Sequence, residues 1–261
     1  MPPLSDSVVA ALRSAGCVFA EDEAELILST ARTPDEVSAM VDRRVSGLPL
    51  EHVLGWARFH DLRIVVEPGV FVPRRRTEFL VDQAVARARG AALVVDLCCG
   101  SGAVGAALAA ALGAPELHAA DIDPAAVRCA RRNVAPFGGH VHQGDLFDAL
   151  PDALRGRVDV LTANVPYVPT HEVGLLPPEA RDHEPLVALD GGADGLHVLR
   201  RVTPEAPPWL APPGCLLVDT SERQAHAAVE AFARGGLTAT LAVSDELYAN
   251  VVIGTRPPRP T

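Results

Sequence analysis

Leu93-Val94-Val95-Asp96-Leu97-Cys98-Cys99-Gly100-Ser101-Gly102-Ala103-Val104-Gly105 is the stretch on which the reading of the chain turns. The apolar run up to Leu97 suits a strand covered on both faces. Gly100 and Gly102 allow a sharp turn with the backbone bare to a ligand. Ala103 to Leu112 then read as a helix whose free N–H groups point into that turn, so the whole is a cofactor cradle. On spacing alone the glycines match the dinucleotide fingerprint G-x-G-x-x-G, and residues further along must say what the cradle holds.

Downstream, strands and helices alternate: strand Glu116–Ala120, helix Pro124–Val134, strand His140–Gln143, helix near Leu146–Leu154 and strand Val158–Ala163. This pattern predicts a parallel sheet with helices on both faces. Helix Leu196–Val202, strand Cys215–Asp219, helix Glu222–Arg234 and the strands Thr238–Val243 and Tyr248–Ile253 complete it. Upstream, Trp56–His60 and Leu62–Val66 read as a hairpin and Phe79 to Ala88 as a helix. Arg74-Arg75-Arg76 between them read first as a solvated face, with a meeting with an acidic partner as the alternative. The first fifty residues read as short helices, the third presenting Val37, Met40, Val41 and Val45. Thr33-Pro34-Asp35-Glu36 opens that helix with a capping box. The division expected is a helical domain over 1–50, a hairpin linker over 51–70, a main α/β domain over 71–255 and a disordered tail over 256–261.

The totals narrow the function classes. A chain of 261 residues, 48% hydrophobic and 21% charged, has material for a full core. It has neither a membrane-length apolar run nor a basic leader, which predicts a soluble, cytoplasmic protein. A formal charge of −10 argues against direct nucleic-acid binding. All 23 basic residues are arginine, which excludes lysine chemistry. Five cysteines without a C-x-x-C pair predict free thiols, and His140 with His142 lack the neighbours of a metal site.

In an open parallel sheet the ligand lies beyond the carboxyl ends of the strands. Asp96, Asp121, Asp145 and Asn164 stand at or just after four such ends. Asp121 is placed for a carboxylate that accepts the two hydroxyls of an adenosine ribose, which fits NAD and S-adenosylmethionine equally. Asn164-Val165-Pro166-Tyr167 breaks the tie. The Asn164 side-chain oxygen and the Val165 carbonyl can each accept one N–H of a planar NH₂ group, turning its nitrogen toward a methyl donor. Pro166 holds Val165 extended, and Tyr167 offers a flat face for stacking. The chemistry expected is methyl transfer from S-adenosylmethionine to a planar nitrogen.

These motifs together resemble the protein-(glutamine-N5) methyltransferases that modify peptide-chain release factors, the HemK/PrmC family. Gly47…Pro49…Gly55 and Val72-Pro73-Arg74…Thr77-Glu78 match its linker and its P-R-P-x-T-E segment. Asp96 to Gly102 match its D-L-G-T-G-[ST]-G loop, Asp121-Ile122-Asp123 its second strand end, and Gly144-Asp145-Leu146-Phe147 its adenine-side segment. Asn164 to Tyr167 match N-P-P-Y, and Glu184-Pro185 with Ala188 to Leu196 match E-P…A-L-x-G-G-x-D-G-L. The resemblance implies a seven-stranded Rossmann-like class I methyltransferase sheet. It also implies that Asp96, Cys98, Cys99, Gly100, Ser101 and Gly102 hold the methionine part of the cofactor, Asp121 the ribose, and Asp145 with Leu146 the adenine. Asn164, Val165, Pro166 and Tyr167 would hold a glutamine amide of a protein partner, a release factor, with Asn164 also near the cofactor.

The chain departs from the pattern at Cys98, Cys99, Arg75, Val165 and Asp219-Thr220-Ser221. A side chain at 98 requires that position to avoid positive φ. The departures mark a divergent branch and leave two other readings open: methylation of an exocyclic base amine or a small molecule, and a cofactor-binding adaptor without activity.

Overall fold

The computed structural model describes residues 4–88 and 90–257. Strand β1 (Trp56–Phe59) pairs antiparallel with β2 (Leu62–Val65) as a hairpin. The main sheet comprises β3 (Leu93–Leu97), β4 (Glu116–Asp121), β5 (His140–Gln143), β6 (Val158–Ala163), β7 (Leu210–Thr220), β8 (Thr238–Ser244) and β9 (Ala249–Thr255). Its order is β5-β4-β3-β6-β7-β9-β8, and only β9 runs against its neighbours. The chain steps outward from β3 to β5 and returns to β6 on the other side of β3. That reversal opens a crevice at the carboxyl end of β3.

All five residues of β3 are buried, as a central parallel strand requires. Because side chains alternate across a sheet, Leu93, Val95 and Leu97 enter one core while Val94 enters the other. The first core closes under α10 (His197–Glu205) and α11 (Ala225–Arg234), and the second under α5 (Glu78–Arg87) and α6 (Ala103–Leu112). Helix α7 (Pro124–Val134) flanks β4 and β5. The hairpin belongs to the second core through Ala57, Phe59 and Ile64. Asn133 pins it there: its Oδ1 accepts the Val65 N–H, and its Nδ2 donates to Val65 O and Ser101 O, each at 2.8 Å. One buried amide thus ties the hairpin to the glycine turn.

The first helices are α1 (Leu4–Ser14), α2 (Ala20–Thr30), α3 (Pro34–Val45) and α4 (Leu50–Leu54), packed round Leu12, Ile27 and Val37. Thr33 Oγ1 caps α3 by accepting the Glu36 N–H at 3.2 Å, while the Glu36 carboxylate accepts the Arg32 N–H at 2.6 Å, one residue upstream of a reciprocal box. The expected inner face of α3 is corrected at its end, where Val45 is exposed and Arg44 is buried.

Two further expectations change. Leu146–Leu154 is not one helix but two 3₁₀ turns, Leu146–Ala149 and Asp152–Leu154, because Pro151 drives Leu150 to extended backbone (ψ 143°). In the predicted tail, Arg256 is tied to the sheet, its N–H donating to Gly214 O at 3.1 Å and its guanidinium to Leu210 O. Residues 258–261 lie outside the described residues. No helix among the described residues is long and apolar enough to cross a membrane.

Candidate active site

The glycine turn opens the crevice. Gly100 (φ +53°) and Gly102 (φ +77°) take left-handed backbone, and at Gly102 a side chain would press on Ala130 of α7 at 3.1 Å. Cys98 also sits at φ +52°, so the requirement that position 98 avoid this region is not met. Its half-buried side chain packs against the core below the turn. The strain of a left-handed non-glycine residue is about 1–2 kcal/mol, an amount this packing offsets. Burial pushes the Cys98 and Cys99 thiols up, reinforced by the Asp121 charge, so both remain protonated at neutral pH.

Asp96 and Asp121 brace the turn from below and beside. Asp96 is buried, accepts the Thr162 hydroxyl and the Gly105 N–H at 3.0 Å each, and is pushed up to about 7 by loss of solvation. The Asp121 Oδ2 accepts the Gly100 N–H at 2.8 Å and its Oδ1 the Asp123 N–H at 2.9 Å. Burial raises the Asp121 carboxyl above its ordinary range. A carboxylate has roughly four acceptor sites, so these two bonds leave Asp121 with capacity for hydroxyl donors. Ile122, which motif reading passed over, projects half exposed into the same space. An exposed large aliphatic side chain directly after a strand-end acid was its available signal. Asp145 is held by Arg201 of α10 at 2.7 Å, and Leu146 is buried at φ +48°.

Asn164 to Tyr167 leave the end of β6 on the other side of the crevice. Val165 is buried in the first core, which gives the departure from proline a packing role. The loop is held from behind by the Ala188–Leu196 run. Val168 N–H donates to Leu189 O at 3.0 Å, Gly191 N–H to Val168 O at 2.8 Å, and Gln224 Nε2 to Tyr167 O at 2.9 Å. The Asn164 amide lines the cavity and has no hydrogen-bond partner among the described residues. Burial raises the Tyr167 phenol, with the Asp219 charge adding to it, so the hydroxyl stays neutral.

The three arginines are not simply a solvated face. Arg74 binds Glu184, a buried carboxylate that also accepts the Val72 N–H, at 2.6 Å. Arg76 donates to the Tyr167 hydroxyl, and only Arg75 points wholly outward. Thr77, next in the chain, donates to the buried Asp219 at 3.1 Å. Arg74, Arg76, Thr77 and Glu184 line, with both strand-end loops, one cavity of about 460 Å³, the size range of small-molecule sites. Of the ten residues predicted to hold the cofactor, all line it except Gly102, which supports it from the start of α6, and the acceptor-side Val165, Pro166 and Tyr167 line it as well.

Elsewhere, the five cysteines are free. His140 and His142 meet His118 on the outer sheet, with His118 Nδ1 and His142 Nε2 2.9 Å apart. Among the described residues no cluster is arranged to hold a metal.

The chain is similar to known methyltransferases. The Methyltransferase small domain model matches residues 61–175. A release factor glutamine methyltransferase of Geobacter sulfurreducens is 38% identical over 228 residues, which are 85% of this chain and 79% of that protein. A 4-amino-L-phenylalanine/4-methylamino-L-phenylalanine methyltransferase of Streptomyces pristinaespiralis is 39% identical over 193 residues, 70% of this chain and 65% of that one. Among solved structures, a methyltransferase from Pyrococcus furiosus shares the fold with a TM-score of 0.57 at 16% identity, covering 76% of this chain and 90% of its own. The seven-stranded sheet, the crevice at β3 and the long similarity to the first of these relatives lead to one conclusion: the chain belongs to the release factor glutamine methyltransferase family.

Proposed function

We propose that the protein transfers the methyl group of S-adenosylmethionine to the side-chain amide nitrogen of a glutamine in a protein, a peptide-chain release factor. The residues fit that cofactor. Carboxylates outnumber arginines along the cavity, as suits a cationic ligand, and the bare Gly100 backbone, the spare acceptor sites of Asp121 and the exposed Ile122 suit its three parts. Asp96 would act through the turn, since both its oxygens are engaged within the fold. When bound, the cofactor supplies an electrophilic methyl carbon on a sulfonium.

The chain's own part is positioning. The Asn164 oxygen and the Val165 carbonyl accept the two N–H groups of the glutamine amide, Tyr167 stacks on its plane, and Pro166 keeps the acceptors fixed beforehand. The observation that carries this reading is the free Asn164 amide facing the same cavity as Gly100 and Asp121. Asn164→Ala should leave the dissociation constant for S-adenosylhomocysteine within about twofold yet slow methyl transfer roughly 10²-fold, the scale of losing one positioned group at a reacting centre. Labelled cofactor with a purified release factor, followed by mass spectrometry of its Gly-Gly-Gln loop, is the assay. A wild type that leaves that loop unmodified would sink the substrate assignment.

A second reading has support in the 39% identity to the aminophenylalanine methyltransferase. Under it, the same loop presents an aromatic amine of a small molecule, and 4-amino-L-phenylalanine in the same assay decides between them.

A further inference from the structure

Tyr167 is held at both ends by side chains from distant parts of the chain. Its hydroxyl accepts from Arg76, and its carbonyl accepts from Gln224 Nε2 at 2.9 Å. The same nitrogen donates to Asp194 O, also at 2.9 Å. No backbone N–H among the described residues reaches either carbonyl, so the buried Gln224 amide is what joins the loop after β6 to the turn before α10 at this point. Space is kept for this bridge, since a Cβ on Gly195 would overlap both Gln224 Nε2 and Tyr167 O. Chemistry fixes which way round the amide lies. Two carbonyl oxygens can only accept, so the atom facing both is the NH₂ group, and the amide oxygen is left facing Ser221. Ser221 Oγ stands 2.6 Å from Gln224 Oε1 and donates to it. Ser221 is the N-cap of the 3₁₀ turn Glu222–Gln224, a place where a serine hydroxyl ordinarily accepts a backbone N–H. Here it makes no such cap bond and is directed at the glutamine instead.

A flipped amide would set its oxygen against two carbonyl oxygens, and the serine hydroxyl, by donating to Oε1, favours the orientation that avoids this. Resting on the reading above that Asn164 to Tyr167 hold the acceptor, we propose that Gln224, oriented by Ser221, is a positioning residue for methyl transfer. Neither side chain lines the cavity, so both act through the loop. By holding the Tyr167 carbonyl, Gln224 fixes the backbone between the two groups that meet the acceptor, the Val165 carbonyl and the Tyr167 ring. A displacement of about 1 Å at such groups costs up to about 10²-fold in rate, although the residue that causes it lies away from the chemistry.

Methyl transfer to a release factor and to 4-amino-L-phenylalanine is measured below the thermal transition for the wild type, Gln224→Met, Ser221→Ala and Ser221→Thr. Methionine keeps the length of the glutamine side chain and lacks its donors, while threonine keeps the serine hydroxyl. The expected kcat is lower by about tenfold or more in Gln224→Met and by about threefold in Ser221→Ala, and is restored in Ser221→Thr, with the Kd for S-adenosylhomocysteine within about twofold throughout. The chain has two tyrosines, so labelling with 13Cζ-tyrosine gives two NMR lines, which Tyr248→Phe assigns. The Tyr167 line should shift or split in Gln224→Met and keep its place in Ser221→Thr, while that of the exposed Tyr248 stays where it is in both. A merely structural role for Gln224 would lower the melting temperature and leave the kcat of the folded enzyme and the Tyr167 line as in the wild type. Either of these unchanged in Gln224→Met overturns the proposal. Equal kcat in Ser221→Ala and Ser221→Thr rejects the orienting role of the hydroxyl, and that pair carries the test if Gln224→Met does not fold. If the wild type methylates neither acceptor, the reading of the acceptor fails and the Tyr167 line decides alone: movement in Gln224→Met supports the positioning of the loop, and a line that stays in place rejects it.

Discussion

Burial of Asp96 gives the cofactor-free protein a distinctive pH response. Its carboxyl titrates at about 7 in the fold, against an ordinary value of 3.8. Between these values the unfolded chain has lost the proton that the folded chain keeps, so stability falls as pH rises from about 4 to 7, by up to about 1.4 kcal/mol per pH unit. Below that window the contribution is constant. Asp219, also pushed up by burial to about 6, acts with the same sign over a narrower range. Asp96→Asn retains both bonds, its amide oxygen facing the Gly105 N–H and its NH₂ donating to the Thr162 hydroxyl, which turns from donor to acceptor. The variant should therefore have a flatter stability profile, with urea midpoints at pH 5 and pH 8 closer together than in the wild type. Midpoints separated as widely as in the wild type would mean that the Asp96 carboxyl is not the titrating group.

At the scale of elements, the loop after β6 depends on the glycine run behind it. Gly195 has φ +75°, and a Cβ there would overlap both the Tyr167 carbonyl and the Gln224 amide that bonds to it. Gly195→Ala should cost about 2 kcal/mol or more and displace the acceptor loop, while Gly174→Ala, with open space around it, should be nearly neutral. Thermal melting of both variants, with methyl transfer measured below the transition, tests the contrast. What was legible in the sequence follows the same division. Strands β5 and β6 and helices α6 and α7 could be placed from apolar periodicity, glycines and N-caps, because those signals are local. The left-handed Cys98 was not legible, since nothing in a cysteine announces positive φ and the packing that holds it comes from distant chain. Arg76 and Arg74 read as solvated charge because their partners, Tyr167 and Glu184, lie 91 and 110 residues away. The N-V-P-Y loop was found by residue type, but its support by Gln224 carried no local mark.

For the whole molecule, one buried cation ties α2 and α3 to the cavity wall. Arg44 Nε and Nη2 meet Glu23 of α2 at 2.6 and 3.0 Å, and Nη1 meets both Leu48 O at 3.0 Å and Glu179 at 2.6 Å. Glu179 lies on helix α8 (Pro178–His183), which forms part of the cavity wall, so the helices and that wall share a residue. Periodicity hid this, because an arginine in α3 reads as polar surface and its second partner is 135 residues on. The two halves of the network should respond differently. Arg44→Ala strands Glu23, a largely buried carboxylate, and should cost about 3 kcal/mol or more, since removing one partner leaves a charge without compensation. Glu179 is about half exposed, with a side-chain accessibility of 48%, so Glu179→Gln should change global stability by less than about 1 kcal/mol. It frees the wall without unfolding the helices, and the expected effect is a higher KM for the acceptor at unchanged affinity for S-adenosylhomocysteine. Urea unfolding of both variants, with acceptor and cofactor titrations of Glu179→Gln, measures the split. Equal destabilisation by the two, or a Glu179→Gln enzyme with wild-type acceptor KM, would show that the helices hold the wall by some other contact.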